Sequence, residues 1–125
     1  MRRGRYSLAA HPEARQRALW LIRDYPNIKA KVDDMDGFGS GASDGGPRST
    51  VPHSTTQDVA IRRADLSWQL DIVDKAMLIV PEEYRRGIWE NIQRRERFPE
   101  TATLKTWKRW KQRFIYFVAL YAGYI

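Results

Sequence analysis

The last part of the chain carries a pattern of large apolar residues that constrains the fold more than any other feature. From Leu104 onward these residues recur every three or four positions. At about 100° per residue they occupy one arc of a helix about 160° wide. They are Trp107, Trp110, Phe114, Ile115, Phe117, Val118 and Tyr121, and Lys111 is the one cation among them. The opposite arc holds Lys105, Lys108, Arg109, Gln112, Arg113 and Tyr116. This stretch therefore predicts a helix over 104–121, capped by Thr103, that buries one face and exposes a cationic one.

Three further helices are predicted from their starting residues and their apolar spacing. Pro12 and Glu13 open the first, which we expect Pro26 to close. Ser54, Thr55 or Thr56 caps the second, and Pro81 followed by Glu82 and Glu83 opens the third. The alternation typical of a strand is found nowhere in the sequence. The predicted fold is all-α: a small helical bundle with a helix-turn-helix-like C-terminal pair and an N-terminal helical arm.

Glycine is concentrated in one segment, which indicates a boundary. Five of the eight glycines lie between Gly37 and Gly46, and prolines, serines and threonines follow them up to Thr56. This composition is typical of a flexible linker. We predict a basic helical arm over 1–35, a Gly/Ser/Pro-rich linker over 36–56, and a helical domain over 57–125 that ends in a basic recognition-type helix.

The second helix repeats apolar residues at heptad spacing, which permits two interpretations. Val59, Leu66, Val73 and Val80 occupy one heptad position, whereas Arg63 interrupts the other. The repeat forms either a seam for the first and last helices of the same chain or the contact face of a homodimer. Three heptads with an internal arginine favour the seam within one chain.

Charge and composition restrict the classes of function. The net charge is +7, and residues 81–125 contribute +5 of it through ten basic and five acidic groups, which favours a polyanionic partner. Cysteine is absent, so disulfides and cysteine-bound zinc are excluded. His11 and His53 lack the neighbours of a triad or a zinc site, and the acidic run beginning at Asp33 lacks the glutamate of a calcium loop. We expect no metal, no cofactor and no enzymatic activity.

The N-terminal sequence and the hydropathy pattern indicate a cytoplasmic protein. The apolar residues near Leu8 are interrupted by His11 and Pro12 before a secretory signal can form. The uncharged run from Phe114 to Ile125 is too short to span a bilayer as a helix. We therefore expect no membrane association.

The cationic arc of the last helix is the candidate binding site. A helix of this kind fits the major groove of duplex DNA, where arginine and lysine reach phosphates or guanine and glutamine pairs with adenine. Arg94 and Arg95, just upstream, are expected to contact backbone phosphates. The complete predicted set is Arg94, Arg95, Lys105, Lys108, Arg109, Gln112, Arg113 and Tyr116. A solvated helix face without a ligand is the alternative interpretation.

Three stretches of the chain resemble a known family. They are Asp24-Tyr25-Pro26, the run from Ile72 to Arg85 (IVDKAMLIVPEEYR), and the run from Thr106 to Phe114 (TWKRWKQRF). In order and spacing they resemble the small phage late transcriptional regulators of the RinA and ArpU type, whose C-terminal ends look like sigma-factor region 4. The resemblance implies a DNA-binding regulator from a phage or prophage, acting in a bacterial cytoplasm. It also implies that the helix around 106–114 is the recognition helix and that host RNA polymerase or another host protein is a partner.

The chain departs from that family before its last helix. Members carry a full extra helix there, whereas this chain has only residues 94–102, with Pro99 inside them. The departure favours a second hypothesis, in which the same basic surface binds a protein or a ribonucleoprotein. A phage-encoded packaging adaptor or an inhibitor of a host nucleic-acid enzyme belongs to this class.

Overall fold

Four α-helices make up most of the computed structural model, which describes residues 5–41 and 56–125. They are α1 (Pro12–Gly41), α2 (Thr56–Met77), α3 (Glu82–Arg94) and α4 (Leu104–Tyr121). Within the described residues there is no strand. The all-α prediction is confirmed.

The starts of the last three helices follow the sequence signals. Helix α2 begins at Thr56, and α3 begins directly after Pro81 with two carboxylates in its first turn. At the start of α4, the Thr103 hydroxyl accepts a hydrogen bond from the Thr106 backbone N–H at 3.2 Å. This bond satisfies one of the N–H groups that a helix start leaves without an intrahelical partner.

Helix α1 continues through Pro26, so the prediction that this proline ends the first helix is wrong. A proline inside a helix has no N–H to give to the carbonyl four residues earlier, which here belongs to Ile22. The side-chain amide of Gln93 in α3 donates to that carbonyl oxygen at 2.6 Å. The bond from α3 supplies the donor that the proline lacks.

The predicted linker over 36–56 is also partly helical. Residues 36–41 belong to α1, and α2 already includes residue 56. The rest of the predicted linker lies outside the described residues. The acidic run beginning at Asp33 lies within α1.

The described residues divide into two compact units that differ from the predicted arm and domain. One is drawn from Met1–Asp24 and Ile72–Ile125, and the other from Tyr25–Asp71. The first unit thus combines the N-terminal half of α1 with the C-terminal part of the chain.

The core of the first unit draws on all of its segments. Its most deeply buried large side chains come from the segment before α1, from α1 itself, from α2 and the turn after it, and from α3 and α4. They are Leu8, Ile22, Val73, Val80, Ile88, Ile92, Trp107, Phe114, Ile115 and Val118. Trp107 connects α4 to its neighbours, because its ring stacks on Phe98 with centroids 5.3 Å apart and meets the edge of Tyr84 at 4.9 Å. Trp20 of α1 is 64% exposed.

The second unit contains buried apolar residues of α1 and an exposed ion pair between α1 and α2. Ile28 and Val32 are buried. The Arg63 guanidinium donates to both carboxylate oxygens of Asp36, at 2.7 and 3.0 Å. These hydrogen bonds lower the pKa of the Asp36 carboxyl. Arg63, which interrupts the heptad pattern, thus has a specific partner.

The heptad residues of α2 are divided between the two units. In the second unit Val59 is 49% exposed and Leu66 is half-buried, whereas Val73 and Val80 are buried in the first. The homodimer through this face stays a prediction.

Candidate nucleic-acid interface

Helix α4 has a buried face and an exposed face, and three of its five cations lie on the exposed one. Trp107, Phe114, Ile115 and Val118 are buried. Lys105, Lys108 and Arg109 are exposed near the N-terminal end of the helix. Since that end also carries the positive pole of the helix dipole and no acidic residue in its first turn, it favours anions.

The segment before α1 lies against the C-terminal half of the same face. The Gln112 side-chain amide donates to the Tyr6 carbonyl oxygen at 2.7 Å. The Tyr6 ring meets the Tyr116 ring edge-on at 5.3 Å and packs against Phe117 at 5.4 Å. Buried Leu8 anchors the segment in the core. Gln112 and Tyr116, predicted to face the ligand, therefore take part in contacts within the protein.

Aromatic rings orient two of the predicted arginines. The Arg113 guanidinium lies over the rings of Tyr6 and Trp110, 4.8 and 4.9 Å from their centroids. Arg109 lies over the same Trp110 ring at 5.6 Å. Trp110, expected in the core, is half-buried and supports these two cations through its face.

Arg94 and Arg95 lie at the end of α3. Arg95 ends the helix in a left-handed conformation, with φ of 60°, and its N–H donates to the Asn91 carbonyl. Arg94 forms a long ion pair with Glu96 at 3.7 Å, and 71% of its side chain is exposed. Both are exposed, as a phosphate contact requires, but Glu96 offsets part of the charge of Arg94.

Lys111, the cation on the apolar arc, links α4 to other positive charges. Its ammonium donates to the Asn91 side-chain oxygen at 2.7 Å. Burial lowers the pKa of Lys111, and the charges of Arg15, Arg23 and Lys108 lower it further. Arginines of α1 therefore add to the positive potential around α4, a contribution that the periodicity of α4 alone does not reveal.

The segment of 5–10 is the part of this site that the sequence pattern missed. Its available signal is the pair Tyr6 and Leu8, the two large apolar side chains of the segment. The partners of Tyr6 lie more than a hundred positions away along the chain, as its separation of 106 residues from Gln112 illustrates. Local periodicity carries no information about such a contact.

Comparisons of the chain with family models, with curated proteins and with solved structures find no match. The resemblance to the phage late regulators therefore stays a prediction from three short stretches of sequence. Over the described residues, no helix is long and apolar enough to cross a membrane. Nor do the side chains of this part of the chain bring together three potential metal ligands.

Proposed function

We propose that this protein binds duplex DNA through the basic face of α4 and acts as a DNA-binding regulator of the phage late type. The observation that carries the proposal is the exposure of Lys105, Lys108 and Arg109 on one face of a helix whose opposite face is buried. Because the buried face of α4 packs into the protein core, the helix holds its exposed cations in a constant arrangement. Such an arrangement suits the regularly spaced phosphates of a duplex.

Contacts to phosphates supply most of the affinity that we expect for a duplex. Gln112 and Tyr116, the neutral side chains suited to base edges, are engaged by the segment of 5–10. The cations left at the N-terminal end of α4 contact phosphates readily, and Arg109 is the side chain best suited to guanine. We therefore expect affinity that depends steeply on salt, with a logarithmic slope of about −3 for three neutralised phosphates.

Charge reversal on this face tests the proposal. The variant Lys105→Glu/Lys108→Glu is compared with Lys29→Glu/Lys31→Glu, which makes the same change in net charge at exposed lysines of α1. Binding to a fluorescent duplex from a phage promoter region is measured by anisotropy. We expect the first variant to lose binding and the second to keep most of it. Equal binding by the two variants would show that the face is wrongly assigned.

A second candidate function is binding to an acidic protein surface or a ribonucleoprotein. The observation that favours it is that Gln112 and Tyr116 are engaged in contacts with Tyr6. A partner recognised by charge alone does not require hydrogen bonds from these two side chains. Capture from nuclease-treated bacterial lysate separates the two functions. A stoichiometric protein partner that survives nuclease, together with no duplex binding by the pure protein, would replace the first proposal by the second.

A further inference from the structure

A cleft of about 790 Å³ lies between the segment of 5–12 and helix α4, within the first unit. Four arginines line it: Arg5, Arg15, Arg109 and Arg113. The described residues that form its wall include no aspartate or glutamate. The cleft is therefore strongly cationic, and it combines side chains from both ends of the chain.

The walls of the cleft are held by contacts that do not need a ligand. Leu8, which also lines the cleft, is 2% exposed, and the Gln112 amide fixes the Tyr6 carbonyl at 2.7 Å. On the other wall, the stacking of Arg113 between Tyr6 and Trp110 orients its guanidinium. A binding group held in place before the ligand arrives loses less conformational entropy on binding.

The charge around the cleft is higher than its own lining residues indicate. Burial lowers the pKa of the Lys111 ammonium, and the charges of Arg15, which lines the cleft, and of Arg23 and Lys108 lower it further. These groups lie on α1 and α4, which supply three of the four cleft arginines. Such an accumulation of cations favours a ligand with several negative charges.

We propose that this cleft binds the phosphate groups of a ligand of nucleotide size. Guanidinium groups match phosphate oxygens through paired N–H donors, and four of them suit a ligand with more than one phosphate charge. The cleft volume lies in the range of small-molecule sites. Two sources present this chemistry: a free nucleoside diphosphate or triphosphate, and the 5′-phosphate end of a nucleic-acid strand.

The residues that test ligand binding in the cleft differ from those that test duplex binding by α4. Arg5 and Arg15 line the cleft and do not belong to α4. Lys105 and Lys108 belong to α4 and do not line the cleft. Variants at these two pairs therefore distinguish a failure of one proposal from a failure of the other.

Isothermal titration calorimetry of the full chain tests the cleft with three probes: ADP, a 5′-phosphorylated oligothymidylate, and the same oligothymidylate with a 5′-hydroxyl. The variants are Arg5→Gln and Arg15→Gln, both at exposed positions, and the matched control is Lys31→Gln at an exposed position on the C-terminal half of α1. We expect each arginine variant to weaken binding about tenfold or more. The lysine control should bind like the parent. Thermal unfolding of each variant verifies that it is folded.

The probes identify the source of the phosphate. Binding of one ADP per chain, weakened in both arginine variants, supports a free nucleotide. Tighter binding of the 5′-phosphorylated strand than of the 5′-hydroxyl strand, lost in the same variants, supports a strand end. The proposal is overturned if neither ADP nor the phosphorylated strand binds. It is also overturned if Arg5→Gln and Arg15→Gln bind every probe as the Lys31→Gln control does.

Discussion

Replacing Gln93 with leucine should destabilise the first unit because it removes the donor that compensates for Pro26. The Gln93 amide donates to the Ile22 carbonyl oxygen at 2.6 Å, in a partly buried position. In an uninterrupted helix, the N–H of residue 26 would occupy that acceptor. Leucine keeps most of the side-chain volume but has no donor, so the carbonyl loses its partner.

The magnitude follows from the cost of an unsatisfied acceptor. A buried polar group left without its hydrogen bond costs about 1–3 kcal/mol. Because the bond is only partly buried, water recovers part of this cost, and we expect a loss of about 1–2 kcal/mol in the free energy of unfolding. For a domain of roughly 60–100 residues, each kcal/mol lowers Tm by about 4–8 °C.

A double-mutant cycle with Pro26→Ala isolates this effect. Alanine restores the backbone N–H, which then donates to the Ile22 carbonyl within the helix. Urea unfolding is measured for the parent, Gln93→Leu, Pro26→Ala and the double variant. We expect Gln93→Leu to cost less than half as much in the Pro26→Ala background. If it costs the same in both backgrounds, the bond does not compensate for the proline.

Three further predictions concern packing and charge. A Cβ built at Gly87 lies 2.7 Å from two ring atoms of Trp107, so Gly87→Ala should lower the free energy of unfolding by about 1–2 kcal/mol despite the better helix propensity of alanine, as urea unfolding would show. Burial lowers the pKa of Lys111 below 10.5, so between the lowered pKa and 10.5 the ammonium is protonated in the unfolded chain but not in the folded one. The free energy of unfolding should therefore rise with pH across that range. Lys111→Met should flatten this rise, as urea midpoints measured across the range would show. The hydrogen bonds from Arg63 lower the pKa of Asp36 below 3.8, so their contribution to the free energy of unfolding should be present above pH 3.8 and lost as pH falls through the lowered pKa. An NMR titration should give Asp36 a higher pKa in the Arg63→Gln variant.

The helix starts were predictable because their signals are local. Thr56, Pro81 and Thr103 stand at or next to the starts of α2, α3 and α4. The Thr103 hydroxyl caps its helix directly, and the fixed φ of proline suits a helix start. The two faces of α4 were predictable for a related reason. A helical period of 3.6 residues places the large apolar side chains on one arc before any tertiary contact is known.

The features that the sequence pattern missed depend on contacts between distant residues. Pro26 is compatible with a continuous α1 because Gln93 donates to a carbonyl 71 positions away. The covering of Gln112 depends on Tyr6, 106 positions away. The amide of glutamine makes equally good bonds to solvent, to bases and to backbone, so its identity alone does not select the partner.

An NMR titration of the full chain with a short duplex tests most directly whether the exposed cations of α4 form a duplex-binding surface. Backbone amide shifts are followed across the described residues as duplex is added at low salt. We predict that the largest changes fall at Lys105, Lys108 and Arg109 and diminish as salt is raised. Shifts concentrated on residues 57–71 of α2, or no shifts at all, would contradict the claim.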